Sequence, residues 1–254
     1  MSDALHRERL RAQLAGHLER LEGEGVWGLS VAAPAAAAAQ APAATLESPM
    51  ADQPQAGLFG AGPSGVPGED SLGPVEAEAL GCVACRLHET RTKVVFGVGN
   101  PEARLMFIGE GPGRDEDLQG EPFVGRAGKL LTRIIEAMGF AREDVYIANA
   151  VKCRPPKNRD PAADEIGACR HFLMRQVAII KPEIVVLLGN SAVRAVLDRE
   201  QPMSRMRGRF LDWNGVRVMC TYHPAYLLRN PSAKKMVWED MKIVRDALAA
   251  AAPE

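Results

Sequence analysis

Residues 105–113, LMFIGEGPG, join a short apolar run to a glycine-rich turn. Three further apolar runs, rich in β-branched residues, follow along the chain, and stretches with helical spacing separate them. The predicted strands are 105–108, 145–147, 184–188 and 216–219, and the predicted helices cover 129–138, 164–180 and 191–197. Alternation of this kind predicts an α/β fold, with a mostly parallel sheet that carries helices on both faces.

Glycine-rich or polar segments follow three of these runs, at residues 109–113, 149–159 and 222–226. Ligands of such sheets bind outside the carboxyl ends of the strands, so we expect the three segments to meet at one site. The glycines of 109–113 allow the backbone to approach a ligand closely. The spacing is neither GxGxxG nor that of a Walker A loop, which disfavours nucleotide cofactors.

Four of the five cysteines have a spacing typical of metal ligands: Cys82, Cys85, Cys153 and Cys169. Soft thiolates select zinc or iron–sulfur clusters, and the spacing alone does not separate the two. Disulfides are the weaker interpretation, because the first residues lack the apolar core of a secretory signal. We therefore expect a cytoplasmic protein, in which such a pattern more often binds metal. Cys220 lies in an apolar run and is expected to be a buried core thiol.

The 254 residues divide by composition into three segments. Residues 1–25 have the periodicity of an amphipathic helix, residues 26–78 form a linker rich in Ala, Pro and Gly that is expected to be disordered, and residues 79–254 form the α/β domain. Residues 1–78 hold four of the 31 basic and eleven of the 32 acidic residues, a net charge of −7, which leaves +6 on residues 79–254. A mildly basic domain is compatible with a polyanionic partner.

His223 follows the last predicted strand and precedes a proline, which restricts its backbone to extended conformations. A single histidine is more often a structural residue than a catalyst, but a position at the carboxyl edge of the sheet favours function. The basic segments 154–159 and 227–230 are either ordinary surface loops or phosphate-binding segments.

Four ordered motifs resemble the family 4 uracil-DNA glycosylases: GEGPGRDED at 109–117, GEPFVGRAG at 120–128, NAVKCRPPKNR at 149–159 and HPAYLLRNP at 223–231. The cysteine spacing C-x2-C-x67-C-x15-C also matches the ligands of the [4Fe-4S] cluster of that family. The resemblance implies a three-layer α/β/α sandwich around a four-stranded, mostly parallel sheet. It further implies that Cys82, Cys85, Cys153 and Cys169 hold a [4Fe-4S] cluster.

The activity implied by the resemblance is hydrolysis of the N-glycosidic bond of uracil flipped out of DNA, the first step of base excision repair. Phe123 would stack on the uracil ring, Asn149 would distinguish uracil from cytosine, and Glu116 would lie beside C5 of the base. His223 would stabilise the leaving uracil anion at O2, while Glu110 and Gly111 would form the opposite wall, with Glu110 a candidate for positioning water. The residues implied to contact DNA are Arg154, Lys157, Arg159, Leu227 and Arg229. Leu227 and the adjacent Leu228 would form an apolar wedge that fills the gap left by the flipped base.

The sequence is also compatible with two other functions. The first is a module that binds uracil-containing DNA without releasing the base, although residues 120–128 lack the His-bearing insertion of such relatives. The second is a zinc-stabilised nucleotide hydrolase that uses Asp115, Glu116 and Asp117 to hold magnesium.

A short peptide motif lies within the linker. Gln55, Leu58 and Phe59 form a Q-x-x-L-F pattern that resembles the peptides by which bacterial repair proteins bind the sliding clamp. A match of this length in a segment of low complexity also arises by chance. A clamp contact would associate the activity with the nucleoid.

Overall fold

The computed structural model describes residues 71–251, and the predicted N-terminal helix, most of the linker and the clamp-like motif lie outside these residues. The described chain alternates strands and helices as the sequence predicts. The strands are β1 (Val98–Gly99), β2 (Leu105–Gly109), β3 (Tyr146–Asn149), β4 (Ile184–Leu188), β5 (Phe210–Trp213) and β6 (Val216–Thr221). The helices are α1 (Leu72–Leu80), α2 (Arg114–Gln119), α3 (Arg126–Ala137), α4 (Ala163–Ile180), α5 (Asn190–Leu197), α6 (Met203–Met206), α7 (Pro224–Arg229) and α8 (Lys234–Ala250).

The strands form one mixed sheet in the order β1-β3-β2-β4-β6-β5. The four predicted strands correspond to β2, β3, β4 and β6, and they are parallel to one another. The predicted strand number is wrong, because β1 and β5 add an antiparallel strand at each edge. Both edge strands are only partly buried, and β1 has two residues, so neither shows the continuous apolar run by which the central strands were recognised.

Helices cover both faces of the sheet because alternate side chains of each buried strand point to opposite faces. Met106 and Ile108 of β2 belong to one core with residues of α1, α4 and α5. Leu105 and Phe107 belong to a second core with residues of α3 and α8. The described residues therefore form an α/β protein with two hydrophobic cores, one on each face of the sheet.

The boundary between the linker and the domain differs from the prediction. Helix α1 begins at Leu72, within the segment that was assigned to the linker, and its Val75 and Ala79 are buried. The exposed Glu78 of this helix forms an ion pair with Arg175 of α4. Packing against α4 thus orders residues whose composition alone did not indicate a helix.

The topology brings four strand ends to one edge of the sheet. Glu110 follows β2, Asn149 ends β3, the segment beginning at Gly189 follows β4, and His223 lies two residues beyond β6. Among residues 71–251, no helix is both long and apolar enough to span a bilayer.

Candidate functional site

A cleft of about 1090 Å³, measured out to open solvent, lies at the carboxyl ends of the parallel strands. All six residues that were predicted to bind the base line it: Glu110, Gly111, Glu116, Phe123, Asn149 and His223. Arg159 and Arg229 also line the cleft, whereas Arg154, Lys157 and Leu227 do not. Pro155, Asn158 and Tyr226, which belong to the segments expected to meet here, also line the cleft, and Asp160 lies one residue beyond those segments.

The imidazole of His223 is fixed by its own helix. His223 precedes α7, and its Nδ1 accepts a hydrogen bond of 3.1 Å from the backbone N–H of Ala225. An accepting Nδ1 carries no proton, so the proton of the neutral ring lies on Nε2. Burial and, to a lesser extent, the nearby charge of Arg229 lower the pKa of His223 to about 4, so the ring is neutral at physiological pH.

Gly189 makes room for this histidine. A Cβ atom at Gly189 would lie 3.1 Å from the Cβ of His223, and the backbone φ of Gly189 is +88°. Such a φ is uncommon for residues with a side chain, and the close approach leaves little space for one. The turn after β4 therefore favours glycine both for its conformation and for its contact with His223.

Phe123 forms a neighbouring wall of the cleft. Its ring centroid lies 5.5 Å from that of His223, and the two ring planes are inclined by 31°. The loop that carries Phe123 is held from two sides. Glu116 Oε1 accepts hydrogen bonds from the backbone N–H groups of Val124 and Gly125 at 3.0 and 2.8 Å, and Arg142 donates to the carbonyl oxygen of Pro122.

Asn149 carries a buried polar atom without a partner. Asn149 is 1% exposed, and its Nδ2 has no hydrogen-bond partner among residues 71–251. A Cβ atom at Gly109 would lie 2.6 Å from Asn149 Oδ1 and 2.4 Å from Phe123 Cζ, so glycine at 109 permits both side chains to reach the cleft. A buried amide that lacks a partner at the edge of a cleft is suited to bind a ligand that offers an acceptor.

Glu110 lies at the end of β2 and is linked to the neighbouring strand β4 through Ser191. The Ser191 hydroxyl donates a hydrogen bond of 2.8 Å to Glu110 Oε2. Burial raises the pKa of Glu110, while the bond from Ser191 and the charges of Arg194 and Arg229 oppose this rise. Ser191 is a contact that the sequence did not indicate.

The predicted DNA contacts differ in their accessibility. Of the two leucines of the predicted wedge, Leu227 is 1% exposed and belongs to the second core, whereas Leu228 is 36% exposed. Arg159 contacts both oxygens of Glu165 at 2.6 and 2.7 Å, although its side chain remains 39% exposed. Arg154 Nε donates to Asn158 Oδ1 at 2.7 Å, and Lys157 is exposed.

The acidic run at 115–117 does not form a metal site. Asp117 is 2% exposed, and its Oδ1 accepts a hydrogen bond of 2.8 Å from the backbone N–H of Thr92. Glu116 is bound to the loop of Phe123, as described above. These contacts give Glu116 and Asp117 structural roles, and they provide no support for the magnesium-dependent hydrolase.

The four predicted metal ligands line a second, small pocket, which measures about 300 Å³ when it is counted out to open solvent. It is lined by Cys82, Cys85, Cys153 and Cys169 together with Arg91 and Lys152. Arg91 donates to Cys153 Sγ at 3.2 Å, and the backbone N–H of Lys152 donates to Cys169 Sγ at 3.3 Å. Cys220 lies elsewhere in the first core, where burial raises the pKa of its thiol to about 12, in agreement with the prediction of a core residue.

The donor set of this cavity fits an iron–sulfur cluster, since four thiols and two N–H···S donors are the usual surroundings of such a group. Within residues 71–251 no set of three or more His, Cys, Asp or Glu side chains converges closely enough to hold a single metal ion.

The fold and the cleft define an α/β protein that receives a ligand at the carboxyl ends of its parallel strands. Residues 96–242 match the model of the uracil DNA glycosylase superfamily. The type-4 uracil-DNA glycosylase of Thermotoga maritima is 47% identical over 178 residues, which cover 68% of this chain and 93% of that protein. The type-4 enzyme of Saccharolobus solfataricus is 45% identical over 189 residues, which cover 71% of this chain and 88% of that protein. A type-5 uracil-DNA glycosylase of Pyrobaculum aerophilum is 34% identical over 146 residues, which cover 51% of this chain and 64% of that protein.

The chain belongs to the uracil DNA glycosylase superfamily and, within it, to the type-4 group.

Proposed function

We propose that the protein is a uracil-DNA glycosylase that hydrolyses the N-glycosidic bond of uracil flipped out of DNA, and so starts base excision repair. The observation that carries the proposal is the buried, unpartnered Nδ2 of Asn149 in a cleft that also contains an aromatic ring and a neutral imidazole. The names of the type-4 relatives support the same activity.

Recognition of the base rests on Phe123 and Asn149. The Phe123 ring provides an apolar face on which a planar pyrimidine stacks. The amide of Asn149 donates to uracil O4 through Nδ2 and accepts from N3–H through Oδ1. Cytosine has a donor at C4 and an unprotonated N3, so both contacts become unfavourable, at a cost of about 1–3 kcal/mol for each unpaired group.

Glu116 contributes to the pocket mainly by fixing its shape. Its carboxylate holds the backbone at Val124 and Gly125, next to Phe123. We infer that the rest of the Glu116 side chain lies beside C5 of the base, where it leaves no space for the methyl group of thymine. Replacement of Glu116 is therefore expected to affect the position of Phe123 as well as discrimination against thymine.

Bond cleavage develops negative charge on the departing uracil and positive charge on the sugar. The Nε2–H of neutral His223 donates to uracil O2, where the charge of the leaving group accumulates. A donor that is already oriented before the reaction stabilises this charge without reorganisation, which is an efficient use of a hydrogen bond. Glu110 and the backbone at Gly111 form the opposite wall, where the carboxylate of Glu110 positions the attacking water.

Binding of DNA involves the basic residues around the cleft. Arg229 and Arg159 line the cleft itself, and Arg154 and Lys157 lie on the adjoining loop. Their charges contact phosphates and position the duplex. We infer that Leu228, rather than Leu227, fills the gap that the flipped nucleotide leaves, since Leu228 is the exposed apolar residue of α7.

We infer that Cys82, Cys85, Cys153 and Cys169 hold a [4Fe-4S] cluster. When bound, the cluster supplies a cross-link between the segment before β1, the loop after β3 and helix α4. Arg91 compensates negative charge at Cys153, to which it donates a hydrogen bond. Burial raises the pKa of the Cys153 thiol and raises the pKa of the Cys169 thiol to about 11. These thiols would therefore lose their protons when the metal group binds, not before.

The test of the proposed function is release of free uracil from single-stranded and double-stranded oligonucleotides that contain one uracil. Single-turnover release by the wild type, with none from the matching thymine oligonucleotide, is the expected result. Binding without release would favour the nonenzymatic module instead. His223→Ala is expected to lower the rate by about 100-fold or more, the usual effect of losing a donor to a developing oxyanion. Asn149→Asp is expected to lower the ratio of uracil to cytosine excision.

One feature of the chain outside the described residues also bears on function. We infer that Gln55, Leu58 and Phe59 form a peptide that binds the sliding clamp, with Leu58 and Phe59 as adjacent apolar anchors. A tether of this kind would keep the catalytic domain at high local concentration near DNA. We infer that the protein acts in the cytoplasm, at the nucleoid. The DNA substrate and the four thiols inferred to bind metal support this location.

A further inference from the structure

Ser191 and Glu110 connect the ends of two adjacent parallel strands at the cleft. Glu110 directly follows β2, and Ser191 lies in the first turn of α5, just beyond β4. The Ser191 hydroxyl donates to Glu110 Oε2 at 2.8 Å, and Ser191 is only 4% exposed. The hydroxyl is therefore shielded from bulk water and is directed at the carboxylate of Glu110, which lines the cleft.

The hydrogen bond fixes the orientation of the Glu110 side chain. A glutamate has three rotatable bonds, and a partly solvated carboxylate samples several rotamers unless a partner holds it. Because Ser191 occupies Oε2, Oε1 remains the oxygen that is available to a water molecule or to the sugar. A carboxylate held in this way is already oriented when substrate arrives.

The charged groups around Glu110 do not replace this bond. Arg194 of α5 and Arg229 of α7 favour the ionised carboxylate from a distance, and Asp160 of the loop after β3 opposes it. His223 and Glu116 line the same cleft, but His223 is neutral and Glu116 is bound to the backbone of the Phe123 loop. Ser191 is thus the residue whose hydrogen bond to the Glu110 side chain fixes its direction.

We propose that Ser191 is a positioning residue for Glu110 in uracil excision, an inference that rests on the proposed function. Ser191 does not touch the base. It orients the carboxylate and stabilises its ionised form, so that the water held by Glu110 lies in line with the sugar carbon.

The first test is Ser191→Ala in single-turnover excision. Loss of a hydrogen bond to a charged group is expected to slow excision by about tenfold or more, with the dissociation constant for uracil-containing DNA unchanged. Ser204→Ala is the matched control, since Ser204 is an exposed serine on the short helix α6, and it should excise at the wild-type rate. Ser191→Cys keeps the side-chain volume with a weak donor, and it gives the same comparison should the alanine variant unfold at the assay temperature.

The second test separates a positioning role from a purely structural one. Without the hydroxyl the ionised Glu110 loses a donor, so its pKa rises and the acid limb of the pH–rate profile moves to higher pH. In a Glu110→Ala background, Ser191→Ala should cause no further loss of rate, because its effect passes through the carboxylate.

The proposal is overturned by a Ser191→Ala variant with the wild-type rate and pH profile. It is equally overturned when Ser191→Ala causes the same fractional loss with and without Glu110, or when Ser204→Ala slows excision as much. A wild-type protein that releases no uracil would refute the proposed function itself, which is a different result from any of these.

Discussion

Replacement of Gly128 by alanine tests how closely the Phe123 loop packs on helix α3. Gly128 is the third residue of α3, and an added Cβ atom would lie 1.9 Å from the carbonyl oxygen and 2.0 Å from the carbonyl carbon of Phe123. Ordinary van der Waals contacts begin near 3.4 Å, so the backbone at Phe123 would have to move by about 1.5 Å. The obstacle is main chain rather than a flexible side chain, so it cannot be avoided by a change of rotamer.

The expected loss of stability follows from two opposing contributions. Alanine in place of glycine inside a helix stabilises it by about 1 kcal/mol. Overpacking a tightly packed site typically costs about 1–3 kcal/mol, and a clash with backbone belongs at the upper end of that range. Gly128→Ala is therefore expected to lower the free energy of unfolding by about 1–2 kcal/mol. A displacement of this size at Phe123 is also expected to slow uracil excision by roughly 100-fold.

Gly167→Ala provides the matched control for both measurements. Gly167 lies inside α4, and apart from its chain neighbours and its own helix backbone, no atom of the described part of the chain lies within 4 Å of a Cβ atom added there. The control should excise uracil at the wild-type rate, and its free energy of unfolding should rise by up to about 1 kcal/mol. Urea denaturation, monitored by circular dichroism, measures the free energy of unfolding of both variants. A Gly128→Ala variant that is as stable and as active as the control would refute the packing argument.

Three further predictions concern other parts of the molecule. Cys153→Ala is expected to lose iron and visible absorbance, whereas Cys220→Ala should retain the iron content of the wild type, and the opposite pattern would refute the ligand assignment. Two arginines hold the pKa of Glu165 at about 2, so its stabilising contribution is complete above the unfolded pKa near 4.5 and is lost as the pH falls toward 2. Glu165→Gln should accordingly be less stable at pH 7, with a difference from the wild type that shrinks below pH 4.5, and a difference independent of pH would contradict this. A peptide of residues 52–60 is expected to bind the cognate sliding clamp and to lose binding on Leu58→Ala/Phe59→Ala, and equal behaviour of both peptides would leave this segment as linker.

The sequence predicts the centre of the fold and the residues of the cleft because both depend on local patterns. The four parallel strands appear as apolar runs since both faces of the sheet are covered, and the glycine-rich and polar segments follow those runs directly. Strands β1 and β5 are different, since they exist through pairing with β3 and β6 and carry no continuous apolar run of their own. An edge strand of two residues is specified by its neighbour rather than by its own sequence.

The details of the site that the sequence did not predict depend on contacts between distant segments. Leu227 and Leu228 are adjacent and chemically identical, and only the packing of α7 decides that the first is buried and the second exposed. Arg159 is a plausible phosphate ligand by composition, but Glu165 already binds it from the following helix. Ser191 lies 81 positions beyond Glu110 in the chain, and only the adjacency of β2 and β4 brings the two together.

Two hydrogen-bonded connections join the cysteine cavity to the cleft. The backbone of Lys152 donates to Cys169 Sγ, and its buried ammonium donates to the carbonyl oxygen of Asn149 at 3.0 Å and to Gln176 Oε1 at 2.5 Å. On the other side, Glu165 accepts hydrogen bonds from Arg86, which follows Cys85, and from Arg159 at the cleft. A buried ammonium and a buried carboxylate are stable only while their partners stay in place, so both connections depend on the geometry of the cysteine segments. Disturbance of the cysteine site should therefore reach the base pocket by moving Asn149 and Arg159, so that a change at the thiols is expected to affect excision.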